Sequence, residues 1–352
     1  MTAVAVIGGV MLGMSTTSTA VPAPPTVGKA CGVKGERVPG FVCVKKKGKL
    51  VWAKAAANPS ATPTSSASPA GSQPAASTPA LAGLATWSPT TSNALFTKGS
   101  QPIGSSISTS AAAVGTVFLC RLLGGAGGAS AVGPWVSGSR WFPGQKVKVD
   151  GAHNLGGVVS IASAGGRRVI SGNGLPATSL AGTFPIGSTT AAYQYDRNPN
   201  SIKGYSLSVS VPAVPRVAAS PSCMDGGPIG YTTNGVAIYN ALDGGNRDAA
   251  AYETLDKCWG HPERSGQYHF HTISSCVDSG SATVNSPVWG FMLDGFPITG
   301  PWENGVMLKT ADLDVCHGKT SIITLDGVAV SMYHYVATED YPYTAGCYRG
   351  SR

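Results

Sequence analysis

The residues of this sequence whose types and spacing could do chemistry lie in the hexapeptide 266–271, which reads Gly-Gln-Tyr-His-Phe-His. Histidine and aromatic residues alternate here, and in a β-strand successive side chains point to opposite faces. His269 and His271 would therefore share one face, about 6.6–7 Å apart along the strand, while Tyr268 and Phe270 take the other. Two such imidazoles can turn onto one cation at the roughly 2.0–2.1 Å of a zinc–nitrogen bond. The hexapeptide thus predicts part of a metal site.

The remaining ligands of such a site would have to come from other parts of the chain. His261 lies upstream of the hexapeptide, and His334 sits in a Tyr-His-Tyr sequence that repeats the histidine and tyrosine pattern. Either histidine could be the third ligand. Asp294 could ligate too, or could hold a histidine in one tautomer through a hydrogen bond. Imidazole suits zinc and copper, whereas magnesium and calcium need oxygen ligands, so the predicted cofactor is a divalent transition metal, zinc or copper.

A second interpretation of the same residues needs no metal. Tyrosines and histidines that alternate on a half-buried strand also pack well in a sheet, with the imidazoles hydrogen-bonded to backbone or carboxylate groups. Asp294 precedes Gly295, and Asp-Gly is a common turn dipeptide. His317 follows Cys316, and we expect a neighbouring disulfide to hold it rather than an ion to bind it.

The sequence contains no Gly-x-Ser-x-Gly elbow, phosphate-binding P-loop or dinucleotide fingerprint. It therefore identifies no catalytic residue and no organic cofactor. Two classes of function remain. The first is a metal-dependent extracytoplasmic enzyme in which a histidine-bound ion activates water or oxygen. The second is a non-catalytic cell-envelope or matrix binding module that holds a glycan or protein with exposed Tyr and Trp residues. An enzyme needs an open metal position and a nearby base, whereas a module would have buried, saturated histidines.

The composition favours a β-rich exported protein. Of the 352 residues 42% are apolar, which is typical of a globular chain, while 47 glycines and 25 prolines argue against long helices. Only 12% are charged, so much of the surface must consist of Ser, Thr, Asn and Gly. Short runs of Val, Ile and Ser between glycine-containing turns are typical of strands. We predict a mainly β, disulfide-braced domain over 81–352, with sandwich-like or irregular sheets and little helix.

The first 20 residues have the features of a signal peptide. Residues 3–14 form an apolar run that is shorter than the about 20 residues needed to span a bilayer but has the length of a signal-peptide core. Ser18-Thr19-Ala20 offers a cleavage site of the small–x–small type. We expect cleavage after Ala20, secretion or association with the cell envelope, and no transmembrane segment in the mature protein.

A small basic module, 21–54, and a linker, 55–80, are predicted to precede the main domain. Residues 24–57 contain eight Lys or Arg and one acid, a net +7, which leaves +1 of the total +8 for the rest of the chain. Exposed lysines favour anionic cell-wall or envelope polymers as partners, and we predict no nucleic-acid partner. The linker is mostly Ala, Pro, Ser and Thr without any charge, and such a segment cannot bury enough apolar surface to fold.

The cysteines beyond the linker are even in number, which favours disulfides in an exported protein. Cys258 and Cys276 flank the histidine hexapeptide closely enough to hold it rigid. No Cys-x-x-Cys occurs, so cysteine ligands are disfavoured. The sequence leaves the pairing open among six residues: Cys120, Cys223, Cys258, Cys276, Cys316 and Cys347.

Several motifs of the second half of the chain, in order, resemble the YHYH domain family, named for the motif that appears here at 268–271. The resemblance is strongest over 170–350. Phe270 replaces the second tyrosine of the motif, and Trp259 and Thr299 also depart from the usual pattern, but no histidine is missing. The family occurs largely in exported bacterial proteins and has no assigned activity. The resemblance therefore implies the domain and leaves the chemistry open.

The N-terminal module separately resembles a small, cysteine-paired, tryptophan-ended module of exported bacterial proteins. That resemblance implies a β-hairpin closed by a disulfide between Cys31 and Cys43, with Trp52 near its end.

Overall fold

A computed structural model describes the protein at residues 27, 29–30, 37–38, 41–54, 83–87, 96, 99–125 and 127–352. The predicted signal peptide, the predicted linker and Cys31 lie outside these residues. The chain divides into two compact units, residues 1–70 and 71–352.

The first unit contains a three-stranded antiparallel sheet. Its strands are Arg37–Val38, Phe41–Lys46 and Lys49–Lys54. Lys47 and Gly48 join the last two strands with φ angles of 48° and 80°, as a tight two-residue hairpin turn requires. Cys43 and Trp52 lie opposite each other in the hairpin and are buried. Cys43 is disulfide-bonded, while its predicted partner, Cys31, is not among the described residues.

The second unit is organised around an eight-stranded sheet that carries three of the six histidines, His261, His269 and His334. In chain order its strands are β1 (Pro228–Thr232), β2 (Ala237–Tyr239), β3 (Gly260–Pro262), β4 (Tyr268–Phe270), β5 (Val288–Met292), β6 (Pro297–Thr299), β7 (Gly318–Leu325) and β8 (Val328–Val336). Their spatial order is β3-β4-β2-β1-β5-β6-β8-β7. Neighbours are antiparallel except β2 with β4 and β6 with β8, which are parallel.

The centre of this sheet is buried on both faces. All five residues of β5 are buried. Trp289 and Met292 enter one apolar cluster, and Val288 and Phe291 enter another. Adjacent side chains leave a strand in opposite directions, and the register shift between Val288 and Gly290 interrupts the strict alternation. The edge strand β7 instead mixes buried and exposed positions. The core therefore lies against the middle of the sheet.

Short strands and turns make up the rest of the unit. The remaining strands are Gln101–Pro102, Ile107–Ser108, Val117–Phe118, Val136–Ser137, Arg140–Trp141, Val159–Ala164, Arg167–Gly172, Leu207–Pro212, Val217–Ser222, Trp302–Glu303, Val306–Met307 and Tyr348–Gly350. In the part of the chain that the structure describes, helix is confined to α1 (Ala249–Tyr252) and the 3-10 turns Pro143–Gln145, Ala191–Gln194 and Thr310–Asp312. The prediction of a mainly β domain with irregular sheets and little helix is confirmed.

Three disulfides brace this unit, as the cysteine count predicts: Cys120–Cys223, Cys258–Cys276 and Cys316–Cys347. The second of them closes the segment that carries β3 and β4. No described cysteine is free. Among the described residues, no helix has both the length and the apolar character needed to cross a membrane.

Candidate metal centre

Strand pairing brings three histidines together. β3 and β4 are antiparallel neighbours, and His261 lies directly opposite His269 in their register. His271 follows β4 and shares a face with His269, because alternate residues of an extended chain point the same way. One nitrogen of each ring lies within 4.8 Å of the others, and all three residues are 2–3% exposed. No other group of three or more His, Cys, Asp or Glu residues among those described meets this distance.

Backbone carbonyl groups set the tautomers of two of the rings. His269 Nδ1 lies 3.1 Å from the carbonyl oxygen of Gln267, and His271 Nδ1 lies 2.6 Å from that of Asn240. A carbonyl oxygen only accepts hydrogen bonds, so each Nδ1 carries the proton and donates it. Each Nε2 then has a lone pair, and the two Nε2 atoms face each other at 3.0 Å. Neither can donate to the other while both rings are neutral.

His261 and Glu253 add buried polar atoms that have no hydrogen-bond partner. These atoms are both ring nitrogens of His261 and the Oε2 atom of Glu253. Glu253 Oε2 lies 3.4 Å from His261 Nε2 and 3.6 Å from His271 Nε2. Each unsatisfied buried polar atom costs roughly 1–3 kcal/mol. Because these atoms and the Nε2 lone pairs converge on one place, the arrangement favours a bound cation.

Burial sets the protonation of the cluster. It lowers the pKa of His271 to about 4, and it lowers the pKa of His261 and His269 well below the usual value, with a further decrease from the neighbouring imidazoles. Burial, and after it nearby aspartate carboxylates, raises the pKa of the Glu253 carboxyl. The histidines are therefore held in the neutral form, which is the form that binds metal.

The cluster borders a cleft of about 1140 Å³, whose lining includes the three histidines and Glu253. Glycines supply much of the remaining lining, among them four in the segment 124–128 and the pair at 226–227. The cleft gives a small molecule a route to the Nε2 atoms although the rings themselves are little exposed. The site is therefore buried but not sealed.

A buried carboxylate at the start of β3 fixes the relative position of the two histidine strands. Asp256 accepts hydrogen bonds from two backbone N–H groups of the turn 258–260, at 2.9 and 3.1 Å, and from the Tyr268 hydroxyl at 2.7 Å. Tyr268 immediately precedes His269, so this bond ties the turn to the histidine strand. On the other side, the Tyr239 ring stacks on His269 with centroids 3.9 Å apart. These contacts position the imidazoles without help from an ion.

The structure does not bring His334 or Asp294 to the cluster. His334 lies on β8, and four strands separate β8 from β4. Asp294 lies in the turn between β5 and β6, where it accepts hydrogen bonds from the Tyr335 hydroxyl at 2.5 Å and from three backbone N–H groups. This is the behaviour of a buried turn residue. His317, as expected, lies beside the Cys316–Cys347 disulfide.

We expect His334→Ala to bind zinc with wild-type affinity, because the ring lies on a distant strand. Titration of the metal-free proteins with zinc, in competition with a chromophoric chelator, measures both affinities. A fall in affinity beyond about 10-fold, the lower end of what an outer partner of a metal site contributes, would place His334 in the site after all.

Glu253 is the residue of this site that the sequence argument missed. It directly follows α1, a single buried turn whose N-terminal Asp248 accepts a hydrogen bond from the Ala251 backbone N–H. The available signal was an acid at the end of Asp-Ala-Ala-Ala-Tyr-Glu. An aspartate followed by a run of alanines predicts a capped, buried turn, and a carboxylate at the end of it is then drawn into the interior.

The sequence model of the family described as YHYH protein matches residues 208–308. The matched segment includes β1 to β6, all three clustered histidines and Glu253, and it ends before β7. No curated protein and no solved structure gives a significant match to the chain.

Proposed function

We propose that this chain, whose residues 208–308 belong to the YHYH protein family, is a metal-dependent extracytoplasmic enzyme that holds zinc or copper on His261, His269 and His271. The observation that carries the proposal is the 3.0 Å approach of two Nε2 atoms that both lack a proton. Two neutral acceptors repel each other at this distance, whereas a shared cation makes the contact favourable. Protonation of one ring would also do so, but burial opposes it.

The distance between the Nε2 atoms of His269 and His271 suits a tetrahedral site. Two nitrogens bound to one zinc ion at about 2.0–2.1 Å with tetrahedral angles lie about 3.3–3.4 Å apart. The Nε2 atoms of His269 and His271 are therefore within a few tenths of an ångström of the spacing that they need. The His261 nitrogen lies within 4.8 Å of the other two and would have to move closer to them to complete the site.

The donor set decides which ions fit. Three imidazole nitrogens with one nearby carboxylate suit zinc or copper, while calcium and magnesium bind through oxygen. His334 and Asp294 are not included in the proposed ligand set, because they lie in other parts of the sheet.

Three protein ligands and an adjoining cleft support a reactive rather than a structural ion. Structural zinc sites are closed by four protein ligands, whereas catalytic sites keep one position for water. Glu253 lies beside the nitrogens of His261 and His271, where a bound cation would lower the carboxyl pKa that burial raises and would leave a carboxylate able to accept a proton. The chemistry that the ion would supply is activation of a water molecule.

The alternative function, a non-catalytic module that binds glycan or protein through exposed aromatic residues, has less support. Five of the seven tryptophans are buried: Trp52, Trp135, Trp141, Trp259 and Trp289. Neither ring nitrogen of His261 has a hydrogen-bond partner among the described residues. Both observations favour the enzyme.

Cobalt substitution tests the open position without knowledge of the substrate. The metal-free protein is loaded with Co²⁺ and its visible absorption spectrum is recorded while azide is added. We expect the strong bands of a four- or five-coordinate ion, and we expect azide to shift them by occupying the open position. Glu253→Gln is the matched control, because it should retain the ion and its response to azide. A spectrum that azide leaves unchanged would show a saturated site and would support the structural alternative.

Export is part of the same proposal. Its support is the apolar segment 3–14, which has the length of a signal-peptide core. The three disulfides of the second unit add support, since such bonds persist in oxidising compartments.

The N-terminal hairpin is expected to bind anionic envelope polymers in a salt-dependent way. Its five described strand and turn lysines are exposed: Lys45, Lys46, Lys47, Lys49 and Lys54. Attraction between exposed charges is screened over about 8 Å at physiological salt, so retention on isolated anionic wall polymer should fall steeply as salt rises. Sedimentation of the full chain with the polymer measures this. Equal retention after replacement of all five lysines by glutamine would assign the hairpin another role.

A further inference from the structure

The eight-stranded sheet consists of two halves with the same connectivity. From the centre outwards, the order of strands is β1, β2, β4, β3 in one half and β5, β6, β8, β7 in the other. In each half the first pair of strands is antiparallel, the second parallel and the third antiparallel. Every strand of the first half thus has a counterpart four strands later in the chain.

The registers of the two halves also agree. Gly230 pairs with Ile238 in the first hairpin, and Gly290 pairs with Ile298 in the second, with a register shift two residues before each glycine. At the centre of the sheet Tyr231 pairs with Phe291, the residue that takes the equivalent position in the second half. A two-fold axis through this central pair therefore exchanges the halves.

The turn that leads into the outer strand is repeated in detail. Asp-x-Cys-x-Gly occurs at 256–260 and again at 314–318. In both copies the aspartate accepts hydrogen bonds from the N–H groups of the cysteine and the glycine, and from the hydroxyl of a tyrosine that precedes a histidine. The residue before the glycine has a positive φ in both, 67° at Trp259 and 70° at His317. The two cysteines are each disulfide-bonded.

This correspondence locates the counterparts of the clustered histidines. His261 lies opposite His269 between β3 and β4, and Lys319 lies opposite His334 between β7 and β8. The equivalent positions are His261 and Lys319, His269 and His334, and His271 and Val336. The second half thus retains one of the three imidazoles.

An ion pair occupies this region of the second half. The Lys319 ammonium group donates a hydrogen bond to the Glu303 carboxylate, with side chains that are 30% and 16% exposed. His334 is buried beside them, and both charged groups act on its pKa. A cleft of about 340 Å³ includes Glu303 and His334 in its lining, next to Trp302. A carboxylate beside a buried histidine in a cleft is also the arrangement around Glu253.

We propose that the group formed by Glu303, Lys319 and His334 at this cleft is a second copy of the metal centre, in which the Lys319 ammonium group takes the place of the metal ion. The proposal rests on the proposed function, because it takes the histidine cluster to be a metal centre. Lysine brings a compact positive charge on a flexible stem. Glu303 pairs with this charge, as Glu253 would lie beside the positive charge of the ion. With one imidazole replaced by lysine and another by valine, the second cleft binds no transition metal, and the chain binds a single ion.

Restoring the missing imidazoles tests the proposal. The variant Lys319→His/Val336→His gives the second half the three histidines of the first. Zinc stoichiometry, measured by calorimetric titration of metal-free protein, is expected to rise from one ion per chain in the wild type to two in the variant. Adding His334→Ala to the variant should return the value to one. A folded variant that binds one ion overturns the proposal, whereas a wild type that binds none overturns the proposed function instead.

If the first variant does not fold, the reciprocal substitution, which places a lysine in the first half, tests the same proposal. His261→Lys should abolish zinc binding and let an ammonium group pair with Glu253, as Lys319 pairs with Glu303. His261→Met is the matched control, because methionine has a similar length and no charge. We expect the metal-free lysine variant to melt at a higher temperature than the methionine variant. An equal or lower melting temperature shows that an ammonium group cannot replace the ion here and overturns the proposal.

Discussion

Replacing both strand histidines, in the variant His269→Ala/His271→Ala, is expected to lower zinc affinity by more than about 100-fold, because loss of a mere hydrogen-bond partner of a ligand already costs 10–100-fold. Zinc should also stop protecting the protein against heat. A ligand that binds only the folded state, at about 100 times its Kd, stabilises it by about 2.7 kcal/mol. The wild type should show this rise in melting temperature on addition of zinc, and the variant should not.

Two single variants control for damage to the fold. Tyr268→Phe removes the hydroxyl that donates to Asp256 but leaves every ring nitrogen of the cluster. His153→Ala removes an exposed histidine that contacts Thr183. Both are expected to bind one zinc ion per chain, His153→Ala with wild-type affinity and Tyr268→Phe more weakly, because the hydroxyl that it loses helps to position the histidine strand. If the double variant binds zinc as tightly as these controls, the metal lies elsewhere and the histidine strand is a packing element.

Asp294→Ala is expected to destabilise the protein by about 3–5 kcal/mol while leaving its zinc site intact. The carboxylate is fully buried and accepts hydrogen bonds from the Tyr335 hydroxyl and from the N–H groups of Phe296, Arg349 and Gly350. Its removal leaves the Tyr335 hydroxyl and the N–H groups of Phe296 and Gly350 without their acceptor, whereas the Arg349 N–H still donates to the Tyr335 hydroxyl oxygen at 2.8 Å. Each of the three unsatisfied donors costs roughly 1–3 kcal/mol, and water that enters the site would reduce this cost.

Urea unfolding of the metal-free proteins measures this loss of stability, and zinc titration at low temperature, where the variant remains folded, measures the site. Asp314→Ala is a useful comparison, because Asp314 has similar contacts in the second half of the sheet but is only partly buried. A variant at Asp294 that keeps its stability and loses zinc would instead make this carboxylate a ligand.

The sequence was sufficient to predict the part of the candidate metal site that depends on local geometry. Alternation alone puts His269 and His271 on one face, because the two-residue period of an extended chain needs no knowledge of the fold. The mainly β class followed in the same way from glycine-rich turns and short apolar runs. These features are properties of a few consecutive residues.

The choice between His261 and His334 could not be made in this way. Only the order of strands in the sheet shows that His261 is on a neighbour of β4, while four strands separate His334 from β4. That order depends on two parallel crossings, β2 to β4 and β6 to β8, which no local pattern encodes. Glu253 was missed for the same reason, since it reaches the site from a loop.

The internal repeat was also hidden in the sequence. Its clearest trace is Asp-x-Cys-x-Gly at 256–260 and 314–318, together with Tyr-His after each copy. The residues that hold the turn are shared because both copies need the same buried hydrogen bonds. The residues of the two sites differ, since Lys319 and Val336 replace His261 and His271. A search for a second histidine cluster would therefore not reveal the repeat.

The most direct test of the metal centre is an anomalous difference map, calculated from crystals grown with one equivalent of zinc and measured at the zinc absorption edge. We expect one strong peak about 2.0–2.1 Å from the Nε2 atoms of His261, His269 and His271, with the Glu253 carboxylate beside it. A peak at other residues, or no peak among these nitrogens, would contradict the assignment of a metal to this cluster.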